Sequence, residues 1–245
     1  MSNFPKRILI TGTDTGVGKT VVSAAIAWNL KQSGKRVAVM KPVQTGTDED
    51  GLMDIEFVQK VIGTDCSVEE VCPYRFHLPL APLVAADLAG EIIDINKIKS
   101  AFYGLSSRHD IVIVEGSGGL LVPITETYFM SDLAIDLGLG LIIVIRPSLG
   151  TLNHTLLTVE YARSRGLKIL GIVINNFPDN PTLAERMNPE LLLKLTGERI
   201  LGVIHHDPEI RVEEGNIGNL IRISKSALTY DLGGTLIVED FITRL

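Results

Sequence analysis

Six short, almost wholly apolar blocks punctuate the chain, at residues 7–11, 36–40, 111–114, 141–145, 169–174 and 200–204. Each is rich in β-branched residues and too short for a helix, which predicts parallel strands covered on both faces. Helix-length segments lie between most of them, at 20–32, 152–165 and 181–195, the first two closed by Gly34 and Gly166. Strand and helix alternating about every 30 residues predicts an α/β fold: a doubly wound, mostly parallel sheet with helices on both faces.

Residues 42–109 break the rhythm. Helices are expected at 53–62 and 96–106, while the proline-rich stretch 72–82 reads as irregular. A long insertion near the carboxyl ends of strands often shapes a substrate site. Beyond His205, the segments 220–223 and 236–238 read as small extra strands. No repeat or linker divides the chain. Residues 1–245 are therefore expected to form a single domain, with 42–109 as a substrate-side insertion and 205–245 as a C-terminal extension.

Composition narrows the function classes. The chain has 245 residues, 45% hydrophobic and 21% charged, so a sizeable core needs no disulfide or metal staple. A formal charge of -6 argues against a protein that coats nucleic acid or anionic lipid. The longest apolar stretch, 137–145, is far short of the roughly 20 residues of a membrane span. The first seven residues run straight into a strand, without a separate signal segment. Cys66 and Cys72 are the only cysteines and read as free thiols, so a reducing, cytoplasmic setting is expected. The five histidines show no metal-ligand spacing that coincides with an acid cluster, and none is assigned to catalysis.

The strongest motif is Gly12-Thr-Asp-Thr-Gly-Val-Gly-Lys-Thr20, between the first strand and the first helix. In that context its glycines turn backbone N–H groups onto phosphate oxygens, and the helix N-terminus adds a positive dipole end. Lys19 can reach the β- and γ-phosphates, and the Thr20 hydroxyl can hold Mg²⁺. Gly12 stands one residue earlier than the usual first glycine of such a loop, and Asp14 occupies the place of the second lysine that marks plasmid- and septum-positioning ATPases.

Other strand ends add chemistry at the same sheet edge. Lys41 follows the second strand and is either a solvated end residue or a second cation; Pro42 and Gly46, which fix a turn beyond it, favour the second reading. Glu115-Gly-Ser-Gly-Gly119 puts an acid beside glycines that allow close approach of a ligand. Asp54 is either a helix-initiating acid or a third Mg²⁺ ligand with Thr20 and Glu115. The segment 148–154 opens a helix, where free N–H groups could bind a carboxylate or Thr151 and Asn153 could simply cap. Asn175 and Asn176 could read a purine edge or shape the turn before Pro178.

Taken together, residues 12–20, Lys41-Pro-Val43, residues 115–119, residues 149–154 and Asn175-Asn176 resemble, in order, the signature segments of the dethiobiotin synthetase family. The resemblance spans about residues 7–204 and implies a P-loop NTPase-type α/β homodimer. It implies that 7,8-diaminononanoate, CO₂ and ATP become dethiobiotin, ADP and phosphate through a carbamate and a carbamic–phosphoric anhydride, with Mg²⁺. By position it implies catalytic roles for Lys41 and Lys19, and metal ligation by Thr20, Asp54 and Glu115. Nucleotide contacts fall to Gly16, Val17, Gly18, Lys19, Thr20 and Val21, to Asp54, to Glu115, Gly116, Ser117 and Gly118, and to Asn175 and Asn176. Diamine contacts fall to Thr15, Lys41 and Thr45, and to Leu149, Gly150, Thr151 and Asn153, reaching across the dimer. One departure stands out: the family often has proline after the last sheet strand, where this chain reads Ile204-His205-His206. Rival readings are another ATP-dependent ligase on the same fold, or a positioning ATPase that binds DNA or membrane.

Overall fold

The computed structural model describes residues 6–47, 53–64 and 66–227. In chain order its elements begin with β1 (Lys6–Gly12), α1 (Lys19–Gln32), β2 (Val37–Met40) and β3 (Val43–Thr45). The insertion follows: α2 (Asp54–Ile62), α3 (Val68–Val71), β4 (Tyr74–Phe76), α4 (Pro82–Ala89) and α5 (Ile95–Arg108). Next come β5 (Ile111–Glu115), β6 (Pro123–Thr125), β7 (Tyr128–Phe129), α6 (Met130–Leu137) and β8 (Gly140–Ile145). The chain continues with α7 (Thr151–Ser164), β9 (Ile169–Phe177), α8 (Leu183–Thr196) and β10 (Ile200–His205). The hairpin β11 (Ile210–Arg211) and β12 (Asn216–Ile217) and helix α9 (Leu220–Ala227) complete the described part.

Six strands form one parallel sheet in the order β10-β9-β8-β1-β5-β2, with Ile8 opposite Ile113 and Ile10 opposite Ile142. Every residue of β5 and β8 is buried. Successive strand side chains point to opposite faces, so an unbroken buried run means that layers cover both. That is the expected α/β architecture. Since β1 sits at the centre, the loop leaving it lies between the ends of β5 and β8, where open parallel sheets bind ligands.

Two expectations fail. Residues 220–223 begin helix α9, not a strand: Leu220, Ser224 and Ala227 are buried with helical spacing, against α1 and β10. The stretch 72–82 is not wholly irregular, because Tyr74–Phe76 pairs in parallel with Val43–Thr45. Residues 236–238 lie outside the described residues.

The hairpin β11–β12 is anchored from below, with Lys60 Nζ of α2 donating to Gly215 O at 2.8 Å. Within the sheet, Gly171 has φ +152, and an added Cβ would lie 2.6 Å from Leu201 Cγ and 2.7 Å from Arg199 O. The backbone oxygen belongs to the adjoining chain segment and has nowhere to go. Gly171→Ala is expected to cost about 1–3 kcal/mol, read as a lower urea midpoint at unchanged slope.

Candidate active site

The carboxyl edge of the sheet opens into a cleft of about 710 Å³. Its floor is polar and its side wall apolar. Strand ends build the floor. Lys41 leaves β2, Glu115 ends β5, and Lys19 and Thr20 open α1 behind the glycine loop that follows β1. Asp54 comes from the first turn of α2. The loop closes over Gly18, the residue before α1, at φ +89.

Four charges meet on this floor. Lys41 Nζ donates to Glu115 Oε1 at 2.6 Å and to Asp54 Oδ2 at 2.5 Å. Thr20 Oγ1 donates to the same Glu115 oxygen at 2.9 Å. The Lys41 and Glu115 side chains are only 7% and 2% exposed, so Lys41 is not a solvated strand-end residue. Burial pulls the Lys41 ammonium down, but Glu115 and Asp54 outweigh it and raise it above the ordinary lysine value. Burial likewise pushes the Asp54 carboxyl up, and Lys41 outweighs that to hold it below its usual range. Lys41 is therefore a fixed cation and Asp54 a fixed anion.

Lys19 differs. Its Nζ donates to Asp14 O at 3.2 Å. Burial, with Lys41 nearby, lowers its pKa to about 8, although Glu115, Asp54 and Asp14 pull the other way. As pH rises through about 8, the free protein sheds this proton, while phosphate oxygens in contact with Lys19 would keep it bound. Nucleotide binding above that pH therefore takes up a proton, and affinity falls as pH climbs toward the ordinary lysine value. Calorimetry in two buffers of different ionisation enthalpy is expected to show uptake of close to one proton at about pH 9 and almost none at about pH 7.

The donor set suits Mg²⁺. The Thr20 hydroxyl spends its hydrogen on Glu115 and keeps lone pairs free, and two carboxylates stand beside it. Hard oxygens, few in number, match an ion that keeps several waters and substrate oxygens. Among the described residues no group of three or more His, Cys, Asp or Glu side chains could hold a metal.

Of the residues singled out in the sequence, Thr15, Gly16, Gly18, Lys19, Thr20, Val21, Lys41, Thr45, Asp54, Glu115, Ser117 and Gly118 line the cleft. Val17 is buried beneath, and Gly116 packs against Ile10 O. Asn175 lies within β9, two residues before its end, rather than in a following loop, and its Nδ2 donates to Val17 O at 2.9 Å. Asn176 comes next, exposed. Leu149, Gly150, Thr151 and Asn153 do not line this cleft. They surround the start of α7, whose Gly150 cap has φ +92 and no side-chain cap, so neither Thr151 nor Asn153 serves that purpose.

The sequence reading missed other lining residues. Gln44 lies between two recognised positions, and Pro79, Leu80, Ala81 and Pro82 form the apolar wall, where the proline-rich insertion gave the signal. Val212 and Glu213, between β11 and β12, reach the mouth from a tail that carries no recognisable motif. Asp14, in place of a signature lysine, pairs instead with Arg146 beyond β8, at 3.0 Å.

A family model described as an AAA domain matches residues 6–214. The ATP-dependent dethiobiotin synthetase BioD of Bacillus subtilis is 43% identical over 195 residues, 79% of this chain and 84% of that protein. Its counterpart from Methanocaldococcus jannaschii is 40% identical over 211 residues, 84% of this chain and 97% of that protein. Among solved structures, the Pyrococcus furiosus cell division ATPase MinD aligns over 97% of this chain and 98% of its own, with TM-score 0.56 and 20% identity. A plasmid partition protein from Borrelia burgdorferi aligns over 99% and 100%, with TM-score 0.60 and 16% identity. At such identities the structural likeness shows the fold alone, that of P-loop ATPases. No helix among the described residues is long and apolar enough to cross a membrane. The matches over most of the chain, with the phosphate loop and the buried Lys41 in one cleft, make this protein a member of the dethiobiotin synthetase family.

Proposed function

We propose that the chain carboxylates 7,8-diaminononanoate with CO₂ and closes its cyclic urea at the expense of ATP, releasing dethiobiotin, ADP and phosphate. The observation that carries this reading is Lys41, a buried cation held on the floor that the phosphate loop also faces.

The difficulty of the reaction is electrostatic. An anionic carbamate must approach an anionic phosphate, and two like unit charges about 4 Å apart repel by roughly 4 kcal/mol at an effective dielectric of about 20. An ammonium has three N–H donors. Lys41 commits two, to Glu115 and Asp54, so its third is directed to the carbamate. Lys19 and the loop N–H groups of Gly16, Gly18 and Thr20 take the phosphates. Mg²⁺, held by Thr20, Asp54 and Glu115, would supply charge neutralisation at the β- and γ-phosphates. The apolar wall 79–82 suits the alkyl chain of the diamine, and Thr15 and Thr45 offer hydroxyls near its amines.

In sequence, one amine adds to CO₂ and loses a proton, giving the carbamate. A carbamate oxygen attacks the γ-phosphorus, and ADP leaves. The second amine attacks the carbonyl carbon of the resulting anhydride and gives up a proton to solvent, and the C–O bond to phosphate breaks, so that phosphate leaves as the five-membered urea closes. The protein contributes positioning and fixed charge rather than covalent catalysis.

The nucleobase contact falls to Asn175 and Asn176, because Asn175 is bonded to the phosphate loop itself. Two copies of the chain complete the reading. Leu149, 88% exposed, stands before α7, whose first turn, from Gly150 and Thr151 to Asn153, would receive the substrate carboxylate of the second copy.

The test is mass spectrometry of the product from diamine, ATP and labelled bicarbonate. Label retained in a cyclic urea is expected. Equal phosphate release with ammonia in place of the diamine would assign the chain to another ligase reaction.

A further inference from the structure

The two cysteines stand in different surroundings. Cys72 is enclosed: it is 1% exposed, its Sγ donates to Tyr74 O at 3.4 Å, and burial pushes its thiol up to about 12. Cys66 is half-buried between α2 and α3, away from the cleft, and its Sγ lies 3.9 Å from His109 Nε2. Gln59 Nε2 of α2 donates to Cys66 O at 2.8 Å, which fixes the backbone that carries the thiol.

The imidazole is oriented by the helix it ends. His109 is the C-cap of α5, and its Nδ1 lies 2.9 Å from Leu105 O. A backbone carbonyl oxygen only accepts, so Nδ1 carries a hydrogen whether the ring is neutral or charged. Nε2 is left for Cys66. In the neutral ring it offers a lone pair to the thiol hydrogen, and in the imidazolium it offers a hydrogen to the thiolate. In both states one proton is shared between sulfur and ring. The neighbouring charges are engaged elsewhere: Arg108 pairs with Glu70 and Asp110 with Arg36, each at 2.7 Å. His109 is thus the base in contact with the sulfur.

A nucleophile, a base beside it and a third group that orients the base are the parts of an activated thiol. We propose that Cys66 and His109 form such a pair, a modification site that takes up low-molecular-weight disulfides as mixed disulfides. Cys66 Sγ attacks one sulfur of the disulfide while its hydrogen passes to, or already rests on, His109 Nε2. The new S–S bond forms, the old one breaks with its electron pair on the departing sulfur, and the imidazolium returns the proton to that sulfur. One thiol and one disulfide become another thiol and another disulfide, with no further oxidant.

The test is reaction of the full chain with oxidised glutathione at neutral pH, quenched with acid and mapped by peptide mass spectrometry. In the native wild type one glutathione per chain is expected, at Cys66, while Cys72 stays free. His109→Gln removes the base and is expected to slow the native reaction of Cys66 by at least about tenfold. A merely structural imidazole would move the melting temperature and leave that rate alone. A second measurement needs no substitution. Unfolding the wild type in urea parts Cys66 from His109, so Cys66 should then react about tenfold more slowly than in the native chain, and Cys72 as fast as Cys66. An unchanged rate in His109→Gln, a native Cys66 no faster than the unfolded one, or native Cys72 modified alongside Cys66 each overturns the proposal.

Discussion

Lys41→Met is expected to lower turnover by about a thousandfold, the scale for losing a group aimed at transition-state charge, while ATP affinity stays within about threefold. The contrast follows from geometry. In the proposed reaction Lys41, tied to Glu115 and Asp54, has one N–H to spare for the carbamate, while the phosphates fall to Lys19 and the glycine loop. The variant also leaves Glu115, 1% exposed, and Asp54 without their shared cation. Stripping the partner from buried charges costs about 3–5 kcal/mol, so the melting temperature should fall as well. A divalent cation should restore it more in the variant than in the wild type, by taking the place of the missing ammonium. Single-turnover kinetics with nucleotide titration checks the first claim and thermal unfolding with and without Mg²⁺ the second. Equal losses in turnover and in ATP affinity would reject the role given to Lys41.

Gly18→Ala should instead abolish nucleotide binding, with ATP affinity falling by at least about a hundredfold. Two independent obstacles coincide at this position. The backbone has φ +89, which costs an alanine about 1–2 kcal/mol. An added Cβ would also lie 2.0 Å from Asn175 Nδ2. Asn175 can retreat only by releasing Val17 O, which opens the loop just where its N–H groups have to converge. Asn175→Ala in the same chain removes the clash but not the torsional cost, so the double variant should recover part of the stability and little of the affinity. Fluorescence titration with a nucleotide analogue checks this. An ATP affinity within a few-fold of wild type in Gly18→Ala would show that the loop tolerates a side chain there.

Much of this architecture was readable from the chain because its physics is local. Buried strands announce themselves as unbroken β-branched runs, and the glycine loop can be understood from backbone geometry alone. Lys41 was ambiguous for a physical reason: a lysine after a strand has the same local sequence whether its ammonium meets water or two carboxylates, and Asp54 and Glu115 lie 13 and 74 residues away. The pairing of β3 with β4 was hidden similarly, since three residues in a proline-rich stretch carry no period that names a partner. Residues 220–223 misled because four residues fit either alternation, and only Ser224 and Ala227 complete the helical face. The tie from Asn175 to Val17 O, across 158 residues, has no sequence signal at all.

The quartet on the cleft floor has one more consequence. Lys19 and Lys41 against Asp54 and Glu115 cancel, so these four side chains exert little long-range pull on a polyanion, while the chain as a whole carries -6. The formal charges of the floor therefore contribute little electrostatic steering of the nucleotide. Added salt, by shortening the reach of the overall repulsion, should hasten the encounter rather than slow it, and discrimination begins only once the phosphates touch the loop.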